Sequence, residues 1–476
     1  MIGTVIEKEL KEYRRDGRIM GIGFLILLLI IISLATGWSV NSEQQIQAAF
    51  AQQADQEVFL EQGEKNPHSA AHFGRMAYKS APPLSVFDPG ALPYLGQIIW
   101  LEGHVQDPAM FRPAEDSLDL RRLADLSVAG VLTFLLPLLI FLVGYGSFAA
   151  ERERGTLRQI MSFGSGVSLP YIGKLSAISF VGISTAVVAI VVSLFLAISM
   201  PDNTPVSDIL TRGIGLILGY GLYVVIFAAI ALFVSSRSKN ATSAMLLLLS
   251  IWALSVVVIP RLAANIAENM YPSPDGSAFW QNYSDEMAAS RLDPESAEYK
   301  EVERIVLSMA FDRELTLEEI PTLEYNQRGV RLEVSEYMAA QAFGKLYTDL
   351  YNTYENQKNV RRALSFLSPT ILLQHFSSTI SGTDVTAHRH FANAAEIQRQ
   401  IIIKELNEDL IRNDVGGSGP YVSGEELWET IPDFSYTPPS ISLSLTGASW
   451  DFLLLLIWAV IAISVSWNVA KKQKIM

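Results

Sequence analysis

Six runs of roughly twenty apolar residues, at 19–37, 127–149, 171–199, 213–235, 241–260 and 449–469, divide this chain. An α-helix needs about 17–25 such residues to cross the hydrocarbon of a bilayer. A helix in a soluble core is typically half as long and keeps a polar stripe, whereas these runs keep almost none. Half of all residues are hydrophobic and 18% are charged, too apolar a balance for an ordinary soluble protein. The pattern predicts a mainly α, polytopic membrane protein with six transmembrane helices.

Lys8, Lys11, Arg14, Arg15 and Arg18 precede the first run, as in a secretory signal. That run is too long for a signal peptide, and no small-x-small cleavage site follows before Trp38, so it reads as a signal anchor. Segments 1–18, 150–175, 236–239 and 470–476 together carry 14 Lys/Arg against 6 Asp/Glu. Segments 39–126, 200–212 and 261–448 carry 22 against 42. The bias of Lys and Arg toward the cytoplasm places the first set inside, with both termini, and the second set outside a plasma (inner) membrane. The net charge of −13 then belongs to exported domains, and no nucleic-acid partner is expected. The chain has no cysteine, which excludes disulfides, thiolate metal sites and a cysteine nucleophile.

Between the spans, 1–18 predicts a cytoplasmic amphipathic helix, 150–170 a cytoplasmic helical connection, 236–240 a turn and 470–476 a tail. The exported parts are 38–126, a short loop at 200–212, and 261–448, which is long enough to bury its own core. Helical periodicity is strong over 330–367 and 385–411. GGSGPYVSGEELW (416–428) reads as a loop and a short helix capped by Ser423. No alternating strand pattern stands out, so both exported domains are expected to be helical. Their aromatic residues, such as Trp280, Tyr283, Tyr347 and Trp428, suit core or interfacial positions.

Charge is nearly absent within the spans, and Lys174 and Asp451 lie close enough to the ends to reach the interface. That argues against an ion-coupled carrier, which needs buried charges at membrane depth. Gly215 and Gly219 have the small-xxx-small spacing that lets helices approach closely, within one bundle or between subunits. The P-loop pattern does not occur: Gly173-Lys174 and Gly344-Lys345 lack both the upstream glycine and the following Ser/Thr. His68 and His72 have i, i+4 spacing, but HSAAH lacks the glutamate base of a zinc protease helix. His388 and His390 would face different sides of a helix. Neither pair is assigned a metal, and no catalytic or cofactor site is assigned.

ERERGTLR (151–158) sets Glu151, Arg152, Glu153, Arg154, Gly155, Thr156, Leu157 and Arg158 between two spans. Glu151 and Glu153 are expected near a helix start, where acidic groups suit the helix dipole. Gly155 breaks the run, and Gly164 with Gly166 turn the chain back. Charge alternating in sign is a poor orientation signal, since acidic residues contribute little to topology.

Glu151 to Leu157 resembles the E-x-E-x-G-T-L element of the ABC-2 type permease family. A second stretch resembles a subgroup with an enlarged exported domain before its last span, through Leu367, Ser368, Pro369, Gly382, Thr383, Asp384, His388 and Phe391. His390 stands close enough to His388 to blur which histidine matches. The resemblance implies a permease subunit without its own ATPase site. Glu151–Arg158 would then form a coupling helix docked on a separate ATP-binding subunit, which brings ATP and Mg. It also implies a second permease chain, identical or related, and usually export. An alternative within the family is mechanical work on an exported partner protein; a membrane-anchored exported enzyme is a third reading. No substrate is legible.

Overall fold

The computed structural model describes residues 2–112, 126–162, 168–200, 204–289, 292–416 and 420–472. The glycine turn at Gly164 and Gly166, most of DLRRLADLS (119–127), the loop residues 201–203, most of GGSG (416–419) and the end of the tail (473–476) lie outside those residues.

Helix α1 (Ile2–Arg15) leads to the 44-residue α2 (Gly17–Leu60), which Asp16 caps by accepting from the Arg18 N–H. The first span and the helical segment after it are thus one unbroken rod. Then come the short α3 (Pro67–Phe73) and two four-residue strands, β1 (Arg75–Tyr78) and β2 (Ile98–Leu101). They pair antiparallel, Arg75 opposite Leu101 and Tyr78 opposite Ile98. This hairpin corrects the expectation of a strand-free domain; four residues allow only two alternations, too few to stand out as a period.

Next are α4 (Val128–Gly144), α5 (Gly146–Glu153), α6 (Thr156–Ser162), α7 (Ser168–Ile198) and α8 (Val206–Arg237). Helices α9 (Ala241–Trp252) and α10 (Ile259–Met270) are joined through a π-helical stretch, Ala253–Val258. A lobe follows, with α11 (Gly276–Ala289), α12 (Ala297–Ala310), α13 (Gln327–Ala363), α14 (Pro369–Ser381), α15 (Val385–Asn413) and α16 (Glu425–Trp428). Helix α17 (Ile441–Lys471) closes the chain. Gly424, rather than Ser423, occupies the N-cap of α16, because Ser423 bridges back to Lys65.

Among the described residues, six helices are long and apolar enough to cross a membrane: Gly17–Leu60, Val128–Glu153, Ser168–Ile198, Val206–Arg237, Ala241–Met270 and Ile441–Lys471. The protein is a mainly α, multi-pass membrane protein. Its spans share one apolar core, which includes Leu136, Ile178, Phe227 and Leu455. The lobe has two smaller cores. One joins Phe59 of α2 and the hairpin to Phe391, Leu406 and Trp428; the other joins Val306, Leu307, Val334 and Ile411.

Helix α14 departs most from expectation. It comes from the lobe side, yet Leu372, Leu373, Phe376 and Ile380 belong to the core of the spans. It is a thirteen-residue wedge packed mainly against α8 and α17. Gly215 and Gly219 of α8 face it. A Cβ on Gly215 would sit 3.6 Å from Ile380, and one on Gly219 would sit 2.3 Å from the Phe376 ring. Within the chain, this glycine pair admits the wedge. Gly219→Ala is therefore expected to cost about 1–3 kcal/mol through overpacking. Gly221→Ala, which meets no atom within 4 Å, serves as the neutral control. Thermal unfolding of the two variants in detergent reads the difference.

Candidate functional site

Amphipathic α1 turns Glu9 and Tyr13, one helical turn apart, toward the spans. There Glu9 meets Lys174 of α7 and Glu151 of α5. Lys174 Nζ lies 2.7 Å from Glu9 Oε1 and 2.8 Å from Glu151 Oε1. Lys8 Nζ reaches the same two carboxylates at 3.2 and 2.9 Å. The Tyr13 hydroxyl donates to Glu9 Oε2 at 3.2 Å. Burial alone would raise the Glu9 carboxyl, but the Lys174 and Lys8 ammonium groups hold it below the usual range. Lys174 is 1% exposed, so its ammonium group is held inside the protein. It is the inward partner of two acids. The Gly173-Lys174 pair, unsuited to a nucleotide, has a structural use: a Cβ at Gly173 would lie 2.6 Å from Val5. Only glycine lets α1 come this close.

The rest of ERERGTLR extends this attachment. Arg152 donates to the carbonyls of Ser238, at 2.5 Å, and Ser236, at 2.6 Å, taking up the free acceptors at the end of α8. Glu153 accepts from the Ala241 N–H, the first residue of α9, at 3.3 Å. Ser235 of α8 spans the α4–α5 joint; its hydroxyl donates to the Tyr145 carbonyl at 2.7 Å and accepts from the Phe148 and Ala149 N–H groups. Glu151 and Glu153 lie in the last turn of α5, not at a helix start, because the helix begins at Gly146, well inside the apolar run. The helix start that Glu153 meets is that of α9. Gly155, at φ 76°, ends α5 in the left-handed conformation that glycine adopts without strain. The Thr156 hydroxyl donates back to the Glu151 carbonyl at 3.3 Å. Leu157 packs on the core of the spans, while Arg154, Gly155 and Arg158 are exposed. The element thus has an inner half tied to α1, α7, α8 and α9 and an outer half open to a partner.

The second motif is a set of helix caps. Ser368 is the N-cap of α14, accepting from the Thr370 N–H, and Pro369 fills the first helical position. The Ser368 hydroxyl also donates to the Ser255 carbonyl in the π-helical stretch. Gly382, at φ 74°, ends α14 in the left-handed conformation. Asp384 then caps α15 by accepting from the Ala387 N–H at 3.0 Å. Thr383 donates to the Ser378 carbonyl at 3.2 Å. Leu367 is half-exposed, and Phe391 is buried in the lobe core. His388 is buried beside Phe391, whereas His390 Nδ1 meets the Tyr436 hydroxyl at 3.3 Å. The motif therefore defines where a wedge begins, ends and turns back into the lobe.

Buried charges hold that wedge. Arg212 of α8 donates to the Ile380 carbonyl in the last turn of α14 at 2.8 Å, to Ser444 at 3.0 Å and to the Pro439 carbonyl at 2.9 Å. Asp451 of α17 is 0% exposed and takes a two-pronged contact from Arg362, at 2.9 and 3.0 Å. His375 of the wedge lies 3.9 Å from Asp451. Asp451 is thus enclosed by protein. Beside these groups opens a cavity of about 970 Å³, whose border includes Asp88, Thr133, Arg361, His375, Ser377 and Arg389. Ser377 donates to Asp88 at 2.5 Å, and burial raises the Asp88 carboxyl. Lys174, Glu9, Arg212, Arg362 and Asp88 carried no motif. Lys174 and Arg212 could be noticed only as charges inside or beside an apolar run, and Glu9, Arg362 and Asp88 had no such signal.

His68 and His72 stand one turn apart on α3 with their Nε2 atoms 3.2 Å apart. Comparison with curated proteins finds no match. The family model described as ABC-2 family transporter protein matches residues 3–473. Together with the six spans, this supports a transmembrane permease subunit that works with an ATP-binding subunit. The chain belongs to the ABC-2 transporter family.

Proposed function

We propose that the chain is the permease half of an ATP-driven exporter, with Glu151–Arg158 as the contact through which a separate ATPase drives the spans. The observation that carries this reading is the inner half of that element. Glu151, Arg152 and Glu153 connect it directly to α7, α8 and α9, and Glu151 also reaches α1 through Lys8. A push on the exposed Arg154 face would reach four helices at once. The two ATPase states must bind two permease states with different free energy for any motion to be driven. In this reading both termini and Glu151–Arg158 are cytoplasmic, the lobe lies outside the plasma membrane, two permease chains pair, and ATP with Mg is held by the ATPase. The likeness of Leu367–Phe391 to the subgroup with a large exported domain fits the same arrangement.

A second reading within the family is mechanical, with the lobe acting on an exported partner and no solute crossing. The observation favouring it is the wedge, which ties the lobe into the spans through Arg212 and the Arg362–Asp451 pair.

The test is Arg154→Glu with Gly155→Trp. Both residues are exposed, and a Cβ on Gly155 meets nothing within 4 Å, although its positive φ adds a local strain of about 1 kcal/mol. Wild-type chain purified in mild detergent is expected to retain an ATP-binding subunit, and the variant to lose it while keeping its thermal stability. Equal retention by both proteins, or no ATPase with a folded wild type, would overturn the proposal. ATP-dependent solute movement in vesicles separates export from mechanical work.

A further inference from the structure

A third ring joins the two histidines of α3. His104, in the turn after β2, has its ring centre 5.3 Å from that of His68 and 5.4 Å from that of His72. One nitrogen from each of the three rings can be chosen so that all lie within 4.8 Å of one another. The His68 and His72 Nε2 atoms, 3.2 Å apart, are already near the spacing two ligands need. A tetrahedral ion at 2.0–2.1 Å from each nitrogen sets them about 3.3–3.4 Å apart. Their rings meet edge-on at 81° instead of stacking.

The third ring is held in place by the protein. His104 sits at φ 66°, a conformation uncommon for a residue other than glycine. Its backbone N–H donates to Glu336 Oε2 at 2.7 Å, and its Nδ1 lies 3.3 Å from the same oxygen. Gly103 donates to the Ala71 carbonyl at 3.0 Å, fastening this turn to α3 between the other two ligands. Glu336 is buried and fixed by Arg399, which also holds Glu396 and the Glu102 carbonyl. A carboxylate behind one ring nitrogen orients the imidazole and leaves the other nitrogen for a metal.

We propose that His68, His72 and His104 form a three-imidazole site for a divalent transition-metal ion of the zinc class. Three nitrogen ligands suit Zn2+ and its borderline neighbours, whereas Ca2+ and Mg2+ prefer oxygen. His72 is exposed and supplies an entry path, leaving a fourth position for water or a donor from outside. No glutamate base stands beside the first histidine, so the assignment is a binding site, not a hydrolase. It joins a turn of the first lobe segment to Glu336 and Arg399 of the second. It does not depend on ATPase docking.

The test uses the full chain in detergent, carrying an affinity tag without histidine and stripped of metal with a chelator. Zn2+ is titrated against a chromogenic chelator, and Co2+ is followed by its visible spectrum. One equivalent of Zn2+ per chain is expected, together with the intense Co2+ absorption of four-coordinate geometry. His72→Ala and His104→Ala should each weaken binding about 100-fold or more, since each removes a direct ligand and not merely an outer-shell partner. His390→Ala, outside the cluster, should change nothing. His72 is exposed, so its replacement leaves the fold intact, as thermal unfolding without metal will check. Wild type that takes up no more Zn2+ than His72→Ala would overturn the assignment, as would a Co2+ spectrum of six-coordinate type or equal loss in His390→Ala.

Discussion

Lys174→Met is expected to lower the folding stability of the chain by about 3–5 kcal/mol. The four charges around Lys174 balance as two ammonium groups and two carboxylates, and both acids lie within 3 Å of Lys174 Nζ. Removing Lys174 leaves Glu9 and Glu151 to share Lys8, with one buried negative charge uncompensated. That remainder dominates the cost, because an unpaired buried ion has neither water nor a partner. A second variant makes the argument quantitative. Lys174→Met with Glu9→Gln keeps the Lys8–Glu151 pair and restores neutrality, so it should recover most of the loss. Denaturant unfolding in detergent, followed by tryptophan fluorescence, measures both. If the double variant is as unstable as the single one, packing of the lysine stem and not charge balance holds this site together. Because Glu151 opens the element proposed to meet the ATPase, the single variant should also weaken ATPase retention in proportion to its loss of fold.

Arg362→Ala is expected to be as costly, about 3–5 kcal/mol, and for a related reason. Asp451 has no exposure, and both of its oxygens face the Arg362 guanidinium in the geometry that makes such pairs strong. His375, at 3.9 Å, is too distant to replace that contact. Arg362→Ala with Asp451→Asn should regain much of the stability. The location of the damage distinguishes this pair from the Lys174 cluster. Arg362 ends α13 of the lobe and Asp451 sits in α17, so limited proteolysis of the single variant should open the lobe–span junction first. Cleavage that begins instead near residues 150–160 would refute this role for the pair.

The spans were legible because hydrophobic length is a one-dimensional signal, and six long apolar helices stand where six apolar runs were read. Other elements were hidden for physical reasons. The wedge, PTILLQHFSSTIS, is thirteen residues long and carries Gln374, His375 and several hydroxyls, so it is too short and too mixed to stand out as a spanning run. Its depth comes from Gly219 and Arg212, which lie far away in sequence. Lys174 was read as reaching the interface because a long side chain near a helix end normally does so. Its partner Glu9 is 165 residues away, and no local pattern connects them. A shorter separation hid His104, which becomes a neighbour of His68 and His72 only once the hairpin folds. ERERGTLR could be found as a motif. The division of that motif into an attached half and an open half needed the ends of α8 and α9 in place.

Helix α2 carries a mechanical consequence. Forty-four residues without a break make a rod of about 66 Å at 1.5 Å per residue, roughly half of which extends past the first span. Its base adjoins α1, where the Lys8 and Lys174 charges gather, and its far end places Phe59 in the lobe core against Trp428. A stiff lever of that length turns a tilt of about 5° at one end into a sweep of about 6 Å at the other. Small adjustments where α1 meets the spans would therefore arrive in the lobe as displacements the size of a side chain.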